Sequence, residues 1–473
     1  MSEPVRGPLG SAAGRAVVIG AGLAGLLAAA ALRDHAEVTV VERDALPEGA
    51  APRRGVPQAR HRHLLWSGGA RAAEELLPGV TEAWLAAGAR RIPLPTGLVA
   101  FSAGGWARRG PETEFLIACG RDLLESVVRA RLVADPRVTV LERTDMLGLE
   151  GDAARVTGVR VRTAEGGHRA LAADLVVDSS GRGSRGTAWL DALGVAPAPM
   201  EEVDAGLVCA SRVFRAPAGT EEHPMVEVRP DAARPVPGRG ATVLPIEDGR
   251  WLVTLWGTRG GQPAGAADAF EEFARGLPHP FVGELISHAE PLTDVALTRS
   301  TVNRRRFFEK VSDWPEGFVV IGDAVATYNP VHGHGMSVAA QSALALRERV
   351  AEHGLAAPGL ARRVQRAVAR PVALAWELAT GTDIRHPEAM GKRPGALRTL
   401  FGRYLDRSIR AAAGRPLVSE ALLGVITLSR PVGSLLNSKV VMAVLRGPGG
   451  PPLTEPPLTG REREASLGAV AQL

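Results

Sequence analysis

Cysteine, lysine and tyrosine are the scarce residues of this 473-residue chain: Cys119 and Cys209, Lys310, Lys392 and Lys439, and Tyr328 and Tyr404 are all it has of each. Two distant cysteines give neither a disulfide framework nor a CxxC redox or zinc pair, so a reducing cytoplasm is the expected compartment. Met1 to Gly14 lack the basic start and apolar run of a signal peptide. No segment supplies the roughly 18 unbroken apolar residues of a membrane span. The motifs of side-chain nucleophiles and metalloproteases, GxSxG and HExxH, are missing as well. His61 and His63 have no companion acid or cysteine cluster, so no metal is expected. A formal charge of +5 and a pI near 9.8 suggest a basic protein. Yet the arginines are scattered among acids without an aromatic-interleaved basic stretch, which excludes a nucleic-acid binder. Few lysines beside abundant Ala, Gly, Pro and Arg read instead as the codon habit of a GC-rich genome.

What remains, 45% hydrophobic and 23% charged residues, is a globular chain. Ala16 to Ile19 is a short apolar strand, Leu23 to Leu32 an Ala/Leu helix, and Val38 to Val41 the next strand. The chain therefore opens on a βαβ unit. Between its first strand and helix stands Gly20-Ala-Gly22-Leu23-Ala24-Gly25, and Glu42 follows at the end of the second strand. In that context the glycines let the backbone approach a pyrophosphate at the helix N-terminus, and the carboxylate accepts from an adenosine ribose. Arg43 follows Glu42 and joins the candidate cofactor residues.

A second turn, Ile321-Gly322-Asp323, follows another apolar run, Gly317 to Ile321. Then come Asn329-Pro330 and Gly333-His334-Gly335-Met336-Ser337, which open a helix predicted to run to about Val350. Asp323 is suited to a ribityl hydroxyl, and the helix start offers free N–H groups to an anionic ring edge. Two distant glycine-rich turns, one for an ADP half and one for an isoalloxazine, point to FAD rather than NAD.

Between them, Asp178-Ser-Ser-Gly181-Arg-Gly-Ser184 stands where flavoprotein hydroxylases carry a DG motif, with Ser180 in place of the usual Asp. Direct reduction by NADPH is therefore one expectation and a separate flavin reductase the other. The individual side chains also suit a plain capped turn. Arg53, Arg54 and Gln58, in the stretch that leads to His61, His63 and Trp66, are candidates for the cofactor's phosphates or ring edge. Arg121, at a predicted helix start, is a candidate for the same cofactor.

The expected fold class is α/β: a Rossmann-like FAD-binding domain interleaved with a mainly antiparallel β-sheet substrate domain, plus a helical C-terminal region. The boundaries read as a tail over 1–14, the FAD-binding domain over 15–200 and again over 301–350, and the β domain over 201–300. The helical region with an extended tail takes 351–473. Leu171 to Val177 reads as one strand, and helix breaks are expected at Pro371, Pro387 and Pro394.

Several longer strings carry a resemblance: Gly55-Val-Pro-Gln-Ala-Arg-His61, His63-Leu-Leu-Trp-Ser-Gly-Gly-Ala70, Glu75-Leu-Leu-Pro-Gly79, Ser300-Thr-Val-Asn-Arg-Arg305, Trp314-Pro-Glu-Gly317 and Asn329-Pro-Val-His-Gly-His-Gly-Met336. On these the chain resembles the flavin-dependent epoxidases of ionophore polyether biosynthesis, within the aromatic-hydroxylase-like superfamily. The resemblance implies FAD, molecular oxygen and a linear polyene polyketide, free or carrier-bound, whose trans alkenes are epoxidised through a flavin C4a-hydroperoxide.

Such chemistry needs an apolar, water-poor pocket and no activated side chain. No catalytic residue is expected to be essential, and His63, His332 and His334 are candidates for positioning. Trp66, Phe101, Trp106, Phe115, Val208, Phe214, Leu244, Trp256 and Phe307 are the candidate pocket walls. An aromatic hydroxylase is the alternative, opposed by the scarcity of tyrosine. A flavin halogenase is a third, opposed by the missing WxWxIP motif and N-terminal lysine.

Overall fold

The computed structural model describes residues 14–220 and 222–468. Nearly all of the predicted N-terminal tail thus lies outside the described residues. Five parallel strands form the first sheet, in the order Phe318–Val320, Leu175–Asp178, Gly14–Ile19, Ala36–Val41 and Val138–Leu141. Most of their residues are buried: the helix Leu23–Leu32 packs on the sheet, and the strand Val156–Arg162 of a small antiparallel sheet packs against Leu175–Asp178, which explains the short continuous Val/Ile/Ala runs in the sequence. The helix Leu23–Leu32 is apolar all round because it is enclosed, packing on the helices Gly335–His353 and Arg121–Val133.

The second sheet is built on Val208–Arg215, Arg250–Gly257, Arg239–Ile246 and Met225–Val228 in spatial order, all antiparallel. It also recruits Leu98–Ser102, in parallel with Met225–Val228, and Gly105–Trp106. Residues from inside the span 15–200 therefore belong spatially to the β domain.

Its two faces go to different places. Ala210, Phe214, Val226, Val243, Trp251 and Val253 pack against the helices Ala267–Arg275 and Phe281–Ile286. Met225, Leu244 and Leu252 on the other face meet Leu64, Trp66 and Leu116. Pleat parity alone decides which residues look toward the helices and which toward Leu64, Trp66 and Leu116.

Two sequence expectations change. The run Leu171 to Val177 is two strands, His168–Ala172 in a small antiparallel sheet and Leu175–Asp178 in the parallel one. Asp174 divides them, its carboxylate accepting from the Arg15 N–H at 2.8 Å. Pro371 does not break its helix, which runs unbroken from Leu360 to Asp383. A proline inside a helix costs about 3 kcal/mol. Here buried Val364, Val368, Val372, Ala375 and Trp376 on the core side offset it. Among the described residues no helix is long and apolar enough to cross a membrane.

Because Phe270 is fully buried against Phe214, with ring centroids 6.2 Å apart, Phe270→Ala is expected to destabilise the β domain by about 3–5 kcal/mol. Urea unfolding measures this. FAD retention in the absence of urea should not change, since the cavity lies on the face turned away from the glycine turns.

Candidate FAD and substrate site

At the first turn the chain folds back so tightly that a Cβ on Gly25 would lie 1.8 Å from the Gly20 carbonyl oxygen, so no other residue is possible there. Beside Gly22 there is room, the nearest atom to an added Cβ being a Glu125 carboxylate oxygen at 4.0 Å. Glu42 accepts from the Ala21 N–H at 2.8 Å and from Arg53 at 2.7 Å. Arg53 also donates to the Ala21 carbonyl and, at 3.3 Å, to Glu125.

Glu125 itself takes the Leu23 N–H at the helix start, 3.2 Å away, and is held by Arg121 through Nε at 2.8 Å. Burial pushes the Glu125 carboxyl up, but the Arg121 and Arg53 charges outweigh it and hold it below its ordinary value. An anionic oxygen thus already sits where the fold offers a pyrophosphate its N–H donor, and FAD fits this donor set. The reach to this turn comes from Arg53. Arg54 and Gln58 are exposed, and so is Arg43 beside Glu42.

The second turn lies against the first. Gly322 has φ +64°, and a Cβ there would come within 2.9 Å of the Ala24 Cβ. Asp323 has no hydrogen-bond partner among the described residues, and its Oδ1 is 3.6 Å from where a Cβ on Gly335 would stand. Burial raises its carboxyl pKa. A hydroxyl donor is what such a carboxylate lacks, so the ribityl chain expected of FAD fits here too.

The loop Pro330–His332 that follows is tied down from several directions. Arg62 donates to the Val331 carbonyl, Trp66 Nε1 to the His332 carbonyl at 3.2 Å, and the Trp66 N–H to Ser337 at 3.1 Å. Gly333 closes the loop with φ +66°, and Met336 is buried in the helix that begins at Gly335. His334 Nε2 meets the Ile426 carbonyl at 3.0 Å, which leaves Nδ1 an acceptor that is buried without a partner.

Asp383, at the end of the helix Leu360–Asp383, accepts from Asn303 at 2.7 Å and Asn329 at 2.9 Å, and lies 3.4 Å from His332 Nε2. His63 is apart from this pair. Its Nδ1 donates to the His61 carbonyl at 2.9 Å, and burial and the Arg121 charge push its pKa down to about 3.

The candidate walls divide by strand face. Trp66 and Leu244 share one cluster with Ile92, Leu116 and Leu252, and Trp256 packs with Leu207, Cys209 and Val331. The indole N–H of Trp256 is buried without a partner, so a ligand acceptor would satisfy it. Phe214 and Trp106 lie on the opposite face with Phe270 and Phe281, and Phe101 packs edge-on against Trp106.

Val208 shares the parity of Ala210 and Phe214 and leaves the wall with them. Phe115 is flanked by the guanidinium groups of Arg71 and Arg91, and Phe307 by Arg305 and Lys310. A separate open groove of about 550 Å³ lies among Gln341, Arg363, Arg370 and Arg430, away from both glycine turns.

The sequence reading passed over Glu125, Glu227, Asn303 and Asp383. Arg62 is fully buried and pairs with Glu227 at 3.1 Å and Thr242 at 2.6 Å, while His61 Nδ1 lies 2.9 Å from Ser211 Oγ. Glu125 left a usable sign, four residues after Arg121 on one helical face, and Asn303 stands in the Ser300–Arg305 string.

The family defined as FAD binding domain matches residues 14–362. The chain belongs to this FAD-binding family. Protein Rv3254 of Mycobacterium tuberculosis is 32% identical over 430 residues, which are 88% of this chain and 90% of that protein. The flavin-dependent brominase Bmp2 superposes with a TM-score of 0.64 at 15% identity, covering 91% of this chain and 97% of that one. The p-nitrophenol 4-monooxygenase PnpA of Pseudomonas putida gives 0.58 at 17% identity, over 88% and 98%. PqsL of Pseudomonas aeruginosa, described as a probable FAD-dependent monooxygenase, gives 0.57 at 19%, over 79% and 97%.

For this FAD-binding protein, Glu42→Arg is expected to weaken FAD binding, because a second guanidinium would oppose Arg53 and leave the Ala21 N–H unpaired. Fluorescence titration of the apoprotein measures it, and unchanged affinity would move the ADP site elsewhere.

The buried histidines set an acid limit. Burial, with a contribution from Arg60, pushes His61 from its ordinary 6.5 down to about 4, and burial with His332 pushes His334 down to about 3. As the pH falls below 6.5 the unfolded chain takes up protons that the folded chain refuses until about 4 at His61. Stability from these groups is therefore complete above that range and lost through it. The urea midpoint should fall between about pH 7 and about pH 5, and less steeply in a His61→Gln, His334→Gln double variant. Equal slopes would contradict the assignment.

Proposed function

We propose that this FAD-dependent monooxygenase epoxidises trans alkenes of a linear polyene polyketide, free or carrier-bound. Each turnover consumes O2, two electrons and two protons, placing one oxygen atom on the alkene and the other in water. The electrons come from NADPH directly or through a separate flavin reductase.

The observation that carries this reading is a convergence of the epoxidase-like strings. Trp66 from the string His63–Ala70, Asn303 from Ser300–Arg305, and Asn329, Val331 and His332 from Asn329–Met336 form one hydrogen-bonded unit at the flavin loop, joined by Arg62, which stands between two of the strings. Elements that resemble one enzyme family thus act together at the place where the ring is expected.

Bound FAD supplies the oxygen activation, and the protein's part is placement and exclusion of water. Trp66, Leu244, Leu252 and Trp256 offer an apolar wall to a chain without charge. The polar groups near it are engaged with one another: Arg62 with Glu227, His61 with Ser211, and Ser211 with Thr254 at 2.8 Å. Free N–H groups at the Gly335 helix start stabilise negative charge on a ring edge without a titrating side chain.

Phenol chemistry has less support. Tyr328 turns its hydroxyl to the Val372 carbonyl at 3.4 Å, and burial raises its pKa. Halide chemistry lacks its lysine, since Lys310 rests on the Phe307 ring.

Incubation with labelled dioxygen and, in turn, a polyene, a phenol and bromide separates these readings. Label in an epoxide is expected. Oxygen drawn from labelled water, or a phenol or bromide consumed in preference, overturns the proposal. His63→Ala, His332→Ala and His334→Ala are each expected to leak hydrogen peroxide while keeping oxygen transfer, with losses below roughly 10⁴-fold. A larger loss in a variant that retains FAD would reveal an obligatory acid.

A further inference from the structure

The helix Leu360–Asp383 extends beyond the residues matched by the family, yet it ends in a carboxylate buried inside the flavin loop's hydrogen-bond network. A carboxylate in the last turn of a helix is opposed by the helix dipole, and burial adds a desolvation cost. Three donors offset both. The Asn303 and Asn329 amides reach Oδ2 at 2.7 and 2.9 Å, and His332 Nε2 faces Oδ1 at 3.4 Å. Although burial pushes the carboxyl up, these partners hold it below its ordinary value.

Asn329 then passes the constraint on through Oδ1, which accepts the Val331 N–H at 2.9 Å, while Asn303 Oδ1 accepts the Asn329 N–H at 2.7 Å. Every donor that Asp383 gathers therefore belongs to, or holds, the loop that leads into the Gly335 helix start.

We propose that Asp383 is a positioning residue for the flavin ring: it holds Asn329 and His332 in place and fixes the His332 imidazole proton on Nε2. An ionised carboxylate can only accept, so the proton must face it. His332 then presents Nδ1 as an acceptor on its other side. The ring of His334 lies nearly parallel to it, centroids 6.0 Å apart, and is locked in the same tautomer by the Ile426 carbonyl. Two segments beyond the family match, ending at Asp383 and Ile426, thus set the hydrogen-bonding direction of both loop histidines. The role requires FAD in the site and is independent of which substrate is oxidised.

Asp383→Asn distinguishes this from a merely structural carboxylate. Its side-chain oxygen can still accept from Asn303 and Asn329, so the protein should fold, but its amide then points N–H at His332. The imidazole proton must move to Nδ1. Nitrogen NMR of histidine-labelled holoprotein, with His332→Gln to assign the signal, should show that exchange of ring-nitrogen shifts.

FAD should also dissociate faster by about tenfold or more, the loss of one charge-assisted hydrogen bond. An unchanged His332 pattern overturns the proposal, as does unchanged FAD release. Should Asp383→Asn fail to fold, the contact is read from its other end. His332→Gln keeps an N–H toward Asp383 and should hold FAD like the parent protein, whereas His332→Ala should lose it about tenfold faster. Equal release from the two overturns the assignment.

Discussion

Two backbone turns must touch where the parallel sheet ends, and the rest of the site follows from how closely they do so. Gly25 lies over the Gly20 carbonyl and Gly322 over Ala24, with distances that leave no space for a side chain at either glycine. That contact puts the start of the Leu23–Leu32 helix beside the Asp323 turn, although some 300 residues separate them in sequence. One helix start would then offer its N–H groups to the pyrophosphate of FAD, and the other, at Gly335, to its ring. The β domain is inserted between the strands that carry the turns, so its inner face can only close over the ring end.

Buried charge is the second organising element. Glu42, Arg53, Glu125 and Arg121 form a connected cluster at the first turn, and Arg62 with Glu227 forms another beneath the second. Isolated ions at such depth would be expensive, and pairing restores much of the cost without making these clusters a strong source of stability. Their value is directional. Arg53 fixes the Glu42 carboxylate on the Ala21 N–H, and Arg62 fixes the Val331 carbonyl, so donors and acceptors around the cofactor are set before it arrives.

How much of this was legible follows from the range of each interaction. Glycine turns, the strand before each and Glu42 are local patterns with fixed spacing, and the sequence exposes them. The split at Asp174 was hidden because the residues on both sides are apolar and only their sheet partners differ. Helix continuity at Pro371 was hidden because tertiary burial outweighs a local breaker. Which face each candidate wall residue takes was hidden for a simpler reason. Size and hydrophobicity mark Phe214 and Trp256 alike, but strand parity sends one to the helices and the other to Val331, and parity has meaning only once it is settled which face is inward.

Asp383 shows the same limit in its sharpest form. In sequence it is an acid in a Thr-Gly-Thr-Asp run far from every motif. Only the return of its helix against the strand Asn303–Arg306 brings it under the loop. The flavin loop has little regular structure of its own, so its conformation depends on contacts supplied by others: Arg62 and Trp66 on one side, Asp383 and Ile426 on the other. The first pair comes from the stretch that follows the first turn and the second from the C-terminal helices. A loop gripped in this way from both ends of the chain couples the ring position to the integrity of the helical region. The C-terminal helical region is thus part of the framework of the candidate site, although it contributes no glycine motif and extends beyond the family's own match.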